Sequence, residues 1–143
     1  MKLLKYFSVF AVALLFSCSS DDDTPIQINE TEDLIFVQEI QNETHTITIF
    51  TADGSLKQGY NKIYFQIKDG DDFINNAEVS WMPVMHMTAM SHSGPHSEIN
   101  KQANAETLYE GYIIFQMAQN DSEYWELSFN YNVEGVEYVA KDI

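Results

Sequence analysis

The chain of 143 residues has few basic residues and a single cysteine. Seven lysine and arginine residues stand against 22 aspartates and glutamates, so the formal net charge is −15. Such an acidic surface repels nucleic-acid phosphates and anionic lipid head groups, which excludes binding to either by charge neutralisation. Because Cys18 has no second cysteine to pair with, an intramolecular disulfide and a site of several thiolates are excluded too.

The sequence also lacks the motifs of the common enzyme classes. It has no nucleophile-elbow serine motif, no histidine pair spaced as in zinc proteases and no phosphate-binding glycine loop. Carboxylates are abundant, but the sequence places no pair of them for general acid–base catalysis. We therefore expect that the protein is not an enzyme.

Residues 1–17 have the layout of a secretory signal peptide. Lys2 and Lys5 precede the apolar stretch 7–16, which is too short to span a bilayer as a mature helix. The chain then reads Leu15-Phe16-Ser17-Cys18, which resembles the lipobox of bacterial lipoproteins. That resemblance implies cleavage before Cys18 and lipidation of this residue, palmitate included. An ordinary signal peptide that leaves a free cysteine is the alternative.

Residues 18–32 are polar and acidic, and they predict a flexible tether between the lipid and the following domain. The serine-then-aspartate run at 19–23 resembles the surface-export signal of lipoproteins in one Gram-negative lineage; a plain acidic linker is the alternative. We expect an anchor in the outer membrane through Cys18, on the periplasmic face or at the cell surface. More than one acyl chain suffices for stable anchoring, because each buried CH₂ contributes roughly 0.8 kcal/mol.

Residues 33–143 predict one all-β domain. Short segments with period-two alternation and β-branched residues follow one another, and turn residues separate them. They predict about seven strands, at 34–37, 44–50, 61–68, 77–87, 108–116, 123–131 and 136–140, with an irregular stretch over 91–107. We expect an antiparallel, immunoglobulin-like sandwich of two sheets, with a partly open barrel as the alternative. The predicted core is Ile47, Ile49, Ile63, Phe65, Ile67, Ile113, Phe115, Trp125, Leu127 and Phe129.

Residues 81–96, WMPVMHMTAMSHSGPH, concentrate the metal-binding residue types. They contain four of the five methionines other than Met1 and three of the four histidines. Thioether sulfur is a soft donor and imidazole a borderline one, so together they favour copper, cuprous ion above all. Methionines that fill core gaps and histidines that are merely exposed are the alternative. The candidate metal ligands are Met85, His86, Met87, Met90, His92 and His96.

The local pattern constrains how these side chains meet. If residues 84–87 are extended, Met85 and Met87 share one face and His86 lies on the other. A donor returned by the following loop would complete the site, with Met90, His92 and His96 as the candidates. Pro83 cannot donate to a sheet ladder, so it predicts an edge, a bulge or the end of pairing. Trp81 either covers the metal or anchors the core.

Several segments together resemble the YtkA-like domain over roughly residues 56–131. They are Gly59-Tyr60-Asn61 with 63–67, Ala77-Glu78-Val79 before 82–87, and Glu110-Gly111-Tyr112 with 124–127. The resemblance implies an all-β, immunoglobulin-like domain outside the bacterial cytoplasm, with a Met-Pro…His segment associated with copper handling. Two features depart from the family: His86 directly follows Met85 where Gly-His is usual, and a further tail carries His92 and His96.

These observations predict a lipid-anchored copper-binding protein of the cell envelope, serving as a carrier, buffer or delivery domain. Its partners would be the membrane and an envelope protein that donates or accepts copper. The alternative is a non-catalytic protein-interaction module without metal, in which the Met/His segment is an adaptable contact surface.

Overall fold

The structure, a computed structural model, describes residues 29–142. The predicted signal peptide, the lipidation site Cys18 and most of the predicted tether lie outside the described residues. Within residues 29–142 no helix is long and apolar enough to cross a membrane. The described strands are β1 (Ile35–Gln41), β2 (His45–Thr51), β3 (Gly59–Asp69), β4 (Asp72–Phe73), β5 (Glu78–His86), β6 (Ser91–Ser93), β7 (Asn100–Lys101), β8 (Tyr109–Phe115), β9 (Tyr124–Val133) and β10 (Val136–Asp142).

The strands form two antiparallel sheets, so the predicted all-β sandwich is confirmed. The first sheet has the order β1-β2-β3-β8-β7, with β4 paired to β3, and the second has the order β10-β9-β5-β6. The seven longer strands correspond to the predicted ones, and β4, β6 and β7 are additional. Two of these lie within 91–107, where the sequence predicts no strand. A strand of two or three residues shows no alternation, so only pairing with a neighbour reveals it.

The core lies between the sheets and is filled by alternate residues of the strands. In β2 every second residue is buried, from His45 to Thr51. Fully burying a large apolar side chain contributes roughly 1.5–3 kcal/mol. The predicted core is buried except for Trp125, which is only partly buried against it. The predicted core list omits seven further buried apolar residues: Ile40, Trp81, Met85, Leu108, Tyr109, Tyr131 and Ala140.

The chain leaves the second sheet at Gly94, opposite Pro83. The Gly94 N–H donates to the Pro83 carbonyl at 3.0 Å, but Pro83 has no N–H to donate in return. The Gly94 carbonyl instead accepts a hydrogen bond from His96 Nδ1 at 2.8 Å. Pairing with β5 therefore ends here, as the proline predicts.

From this point the chain runs along β8 in the first sheet. His96 lies opposite Ile113 in an isolated bridge, and the Ser97 N–H donates to the Tyr112 carbonyl at 3.0 Å. Trp81 of the second sheet holds this segment in place, because its Nε1–H donates a hydrogen bond to the Ser97 carbonyl at 2.8 Å. A Cβ at Gly111 would come within 2.6 Å of the Trp81 ring, so the indole requires glycine there.

Glu30, near the start of the described residues, is hydrogen-bonded to the loop that precedes β8. The Glu30 carboxylate accepts hydrogen bonds from the Thr107 hydroxyl at 2.6 Å and from the N–H groups of Glu106 and Thr107 at 2.5 and 3.0 Å. Burial by itself would raise the pKa of Glu30. The hydrogen bonds from Thr107 and from the Glu106, Thr107 and Leu108 backbone outweigh it and hold the pKa below its ordinary 4.5.

We expect Glu30→Gln to lower the free energy of unfolding by about 1 kcal/mol at neutral pH, because hydrogen bonds to a charged acceptor are lost. A lowered folded-state pKa stabilises the protein above pH 4.5, and this contribution is lost as the pH falls through the folded-state pKa. Urea unfolding above and below that range should therefore show the wild type and the variant converging in acid. Glu32→Gln, at an exposed position, is the matched control; an equal loss in both variants would contradict the prediction.

Candidate metal site

Strand β5 presents different residue types on its two faces. Trp81, Pro83 and Met85 are buried on the face that meets the core, whereas Met82 is 45% exposed on the other. The alternation assigns His86 to the same outer face as Met82. This agrees with the sequence prediction that Met85 and His86 lie on opposite sides of the strand.

The hairpin of β5 and β6 brings four of the six predicted ligands to one face. The register places Met85 directly opposite His92. The Met87 N–H donates to the Met90 carbonyl at 2.9 Å, which makes these two residues the next opposed pair. Met85 and His92 lie on the inner face, and continuing the alternation one residue past β5 and β6 assigns Met87 and Met90 to the same face; Cβ atoms of directly opposed residues are about 4.5–5.5 Å apart. We refer to Met85, Met87, Met90 and His92 as the hairpin donor set.

Burial within the hairpin donor set falls from the core towards the tip. Met85 has no exposed surface, Met87 is partly buried and Met90 is 65% exposed. The three thioethers thus extend from the interior of the sandwich to solvent over six residues of chain. An ion bound among them would be held by a buried sulfur at one end and reached from solvent at the other.

His92 presents one ring nitrogen that can bind a metal. Its Nδ1 lies 3.2 Å from the Ser93 carbonyl oxygen. A carbonyl oxygen only accepts hydrogen bonds, so Nδ1 carries the proton in this contact, and Nε2 of the neutral ring has a free lone pair. A hydrogen bond of this kind also fixes the ring orientation, as it does for metal-bound histidines in general.

His86 belongs to a separate cluster on the outer face. Its ring stacks on Tyr124, with centroids 5.0 Å apart and an interplanar angle of 19°. The buried Nε2 atom has no hydrogen-bond partner among the described residues, and it lies 3.9 Å from Glu126 Oε2. The other oxygen of that carboxylate accepts hydrogen bonds from Ser128 and Lys141. The structure therefore groups His86 with a carboxylate rather than with the thioethers.

His96 lies away from the hairpin donor set. It is exposed and forms a bridge with Ile113 of β8 in the first sheet, whereas Met85 pairs with His92 of β6 in the second. His96 lines an open groove of about 400 Å³ together with Ser80 and Glu98.

The indole next to the donor set is that of Trp125, and the sequence did not identify it. Trp125 lies opposite Met85 on the other side of β5, and its ring is in edge contact with the His92 ring. Trp81, which the sequence offered as a cover for the metal, is a buried core residue. Alternation correctly assigned Trp125 to the inner face of its strand, but no sequence signal gives the pairing of β9 with β5.

The hairpin donor set is electrically neutral and soft. Three thioethers and one neutral imidazole suit cuprous ion, whereas magnesium and calcium require oxygen ligands. Within residues 29–142, no three side chains of the types His, Cys, Asp and Glu gather closely enough to hold a metal ion.

No family model matches this chain, and no curated protein or solved structure matches it. The resemblance to the YtkA-like domain therefore stays a prediction from the sequence.

Met85 is buried and Met90 is exposed, so replacing each with alanine should affect the free energy of unfolding differently. Met85→Ala should lower the free energy of unfolding by about 2–5 kcal/mol, because it leaves a cavity in the core. Met90→Ala removes an exposed side chain and should change it by no more than about 0.5 kcal/mol. Urea unfolding of the metal-free protein measures both, and similar losses for the two variants would contradict the described burial.

Proposed function

We propose that the protein binds one cuprous ion through the hairpin donor set and carries, buffers or delivers copper outside the cytoplasm. The ligands would be Met85, Met87, Met90 and His92. The observation that supports this proposal is the register of β5 with β6, in which these residues form two adjacent cross-strand pairs on one face. Neither His86 nor His96 shares that face, so we include neither as a ligand of this ion.

The chemistry of the donors suits exchange rather than permanent storage. Thioethers and imidazole prefer cuprous ion, and the absence of a thiolate keeps the affinity moderate. The strongly negative protein surface raises the local concentration of cations. An exposed thioether at Met90 gives a partner protein direct access to the bound ion.

The envelope location is part of the same proposal. Lipidation of Cys18 after removal of residues 1–17 would hold the domain at the outer membrane, on its periplasmic face or at the cell surface. The partner would be a second envelope protein that donates or accepts copper. The proposed role is binding and transfer, without catalysis.

Competition with a chromogenic cuprous chelator tests the proposal. We expect one equivalent of cuprous ion to bind per chain, and Met87→Leu with Met90→Leu together to weaken binding by at least roughly tenfold, which corresponds to about 1.4 kcal/mol. Leucine keeps the apolar volume and removes only the sulfur. His92→Phe should weaken binding similarly, because it keeps the ring and removes the donor nitrogen.

Two matched controls lie on the opposite face of the same strand. Met82→Leu and His86→Gln remove a thioether and an imidazole that the proposed ion does not contact, so binding should be unchanged. Absence of competition by the wild type, or an equal loss in the control variants, would reject the proposed site. A protein that binds no metal yet retains a specific protein partner through the Met/His segment would instead be an interaction module.

A further inference from the structure

The Trp125 side chain lies over the buried end of the hairpin donor set, beside Met85 and His92. It lies opposite Met85 on one side of β5, and His92 lies opposite Met85 on the other side. Two strand spacings, about 9–10 Å, therefore separate the backbones of Trp125 and His92. Their ring centroids are nevertheless only 5.8 Å apart, with an interplanar angle of 89°. The two rings converge across Met85, whose side chain has no exposed surface.

The surroundings of Trp125 fix the indole in this orientation. Its Nε1–H donates to the Met117 carbonyl at 2.9 Å, and the Phe115 ring packs against it with centroids 5.1 Å apart. A Cβ at Gly94 would lie 3.0 Å from the indole and 3.0 Å from the Ile114 carbonyl oxygen. Gly94 is not among the glycines with positive φ, so space for the indole and for the Ile114 carbonyl is the reason that the structure gives for glycine here.

This arrangement controls which ligands can reach an ion held by Met85 and His92. The indole covers the inner end of the donor set beside Met85 and His92, whereas the Met90 end is open to solvent; the electron-rich face of an indole attracts a cation. Cupric ion favours tetragonal coordination by nitrogen and oxygen donors, whereas cuprous ion is satisfied by soft donors alone. A site whose inner end is screened from water therefore favours the cuprous state.

We propose that Trp125 is a specificity-determining residue, which covers the bound ion and selects cuprous over cupric copper. The inference rests on the proposed cuprous site. It adds a role for a residue that donates no lone pair to the metal. A tryptophan that served only to fill the core would affect folding stability and leave the preference between the two oxidation states unchanged.

Affinity measurements on Trp125→Leu and Trp125→Phe in the full chain test this role. Cuprous binding is measured without oxygen by chelator competition, and cupric binding by electron paramagnetic resonance. Trp125→Leu should weaken cuprous binding by roughly tenfold, the scale of a desolvated cation–π contact, and should strengthen cupric binding. Trp125→Phe keeps an aromatic face, so it should retain part of the cuprous preference that Trp125→Leu loses.

Fluorescence supplies a measurement that needs no change at Trp125. The chain has two tryptophans, and Trp81→Phe leaves Trp125 as the only indole emitter. Silver ion, a redox-inert probe for cuprous sites, should quench this emission at one equivalent. In Trp125→Phe the remaining Trp81 emission should not respond, because Trp81 lies in the core and bonds to the Ser97 carbonyl.

The outcomes separate this inference from the proposed function. Wild-type protein that binds cuprous ion, together with folded Trp125 variants of unchanged cuprous-to-cupric preference, would overturn the role of Trp125 and leave the copper site standing. Cuprous binding without quenching of Trp125 by silver would overturn it as well, even if both variants failed to fold. Wild-type protein that binds neither cuprous nor silver ion would reject the proposed site and this inference with it.

Discussion

The pairing of β5 with β6 is the interaction on which the candidate site depends. Met85 meets His92 only in this register, and a slip of one residue would bring a serine to that position and move the imidazole to the outer face. Pairing with β6 ends at Pro83 and Gly94 because Pro83 has no N–H to donate on that side of β5, whereas the ladder with β9 on the other side continues past Pro83. At the turn between β5 and β6, the pairing is closed by the hydrogen bond from the Met87 N–H to the Met90 carbonyl. A short edge strand is thus fixed at both of its ends.

The two faces of β5 keep two kinds of chemistry apart within one strand. The Met85 thioether lies inside, against the core, while the outer face carries the Met82 thioether and combines His86 with the Glu126 carboxylate. Separation by alternation needs no extra structure, because neighbouring residues in a strand face opposite sides. Met85 and His86 therefore present their donors to opposite sides of the sheet, although they are neighbours in the chain.

Strand alternation made much of this architecture predictable from the sequence. It gave the seven longer strands, nine of the sixteen buried apolar residues of the core and the division of Met85 from His86. What it could not give was contact between strands that are distant in the chain. Trp125 lies 40 residues after Met85 (125 − 85) and becomes its neighbour only through the pairing of β9 with β5. His96 is the opposite case, because it is close in sequence yet crosses to the other sheet.

The hydrogen bonds of Glu30 also determine at which end of the sandwich the described part of the chain begins. They fasten the chain beside Thr107, just before Tyr109 begins β8, whereas Phe115 ends β8 in contact with Trp125. Six residues of strand, about 20 Å, separate these two poles. The proposed anchor at Cys18 would therefore attach at the pole remote from the hairpin donor set. The hairpin tip would then lie at the pole opposite the attachment point.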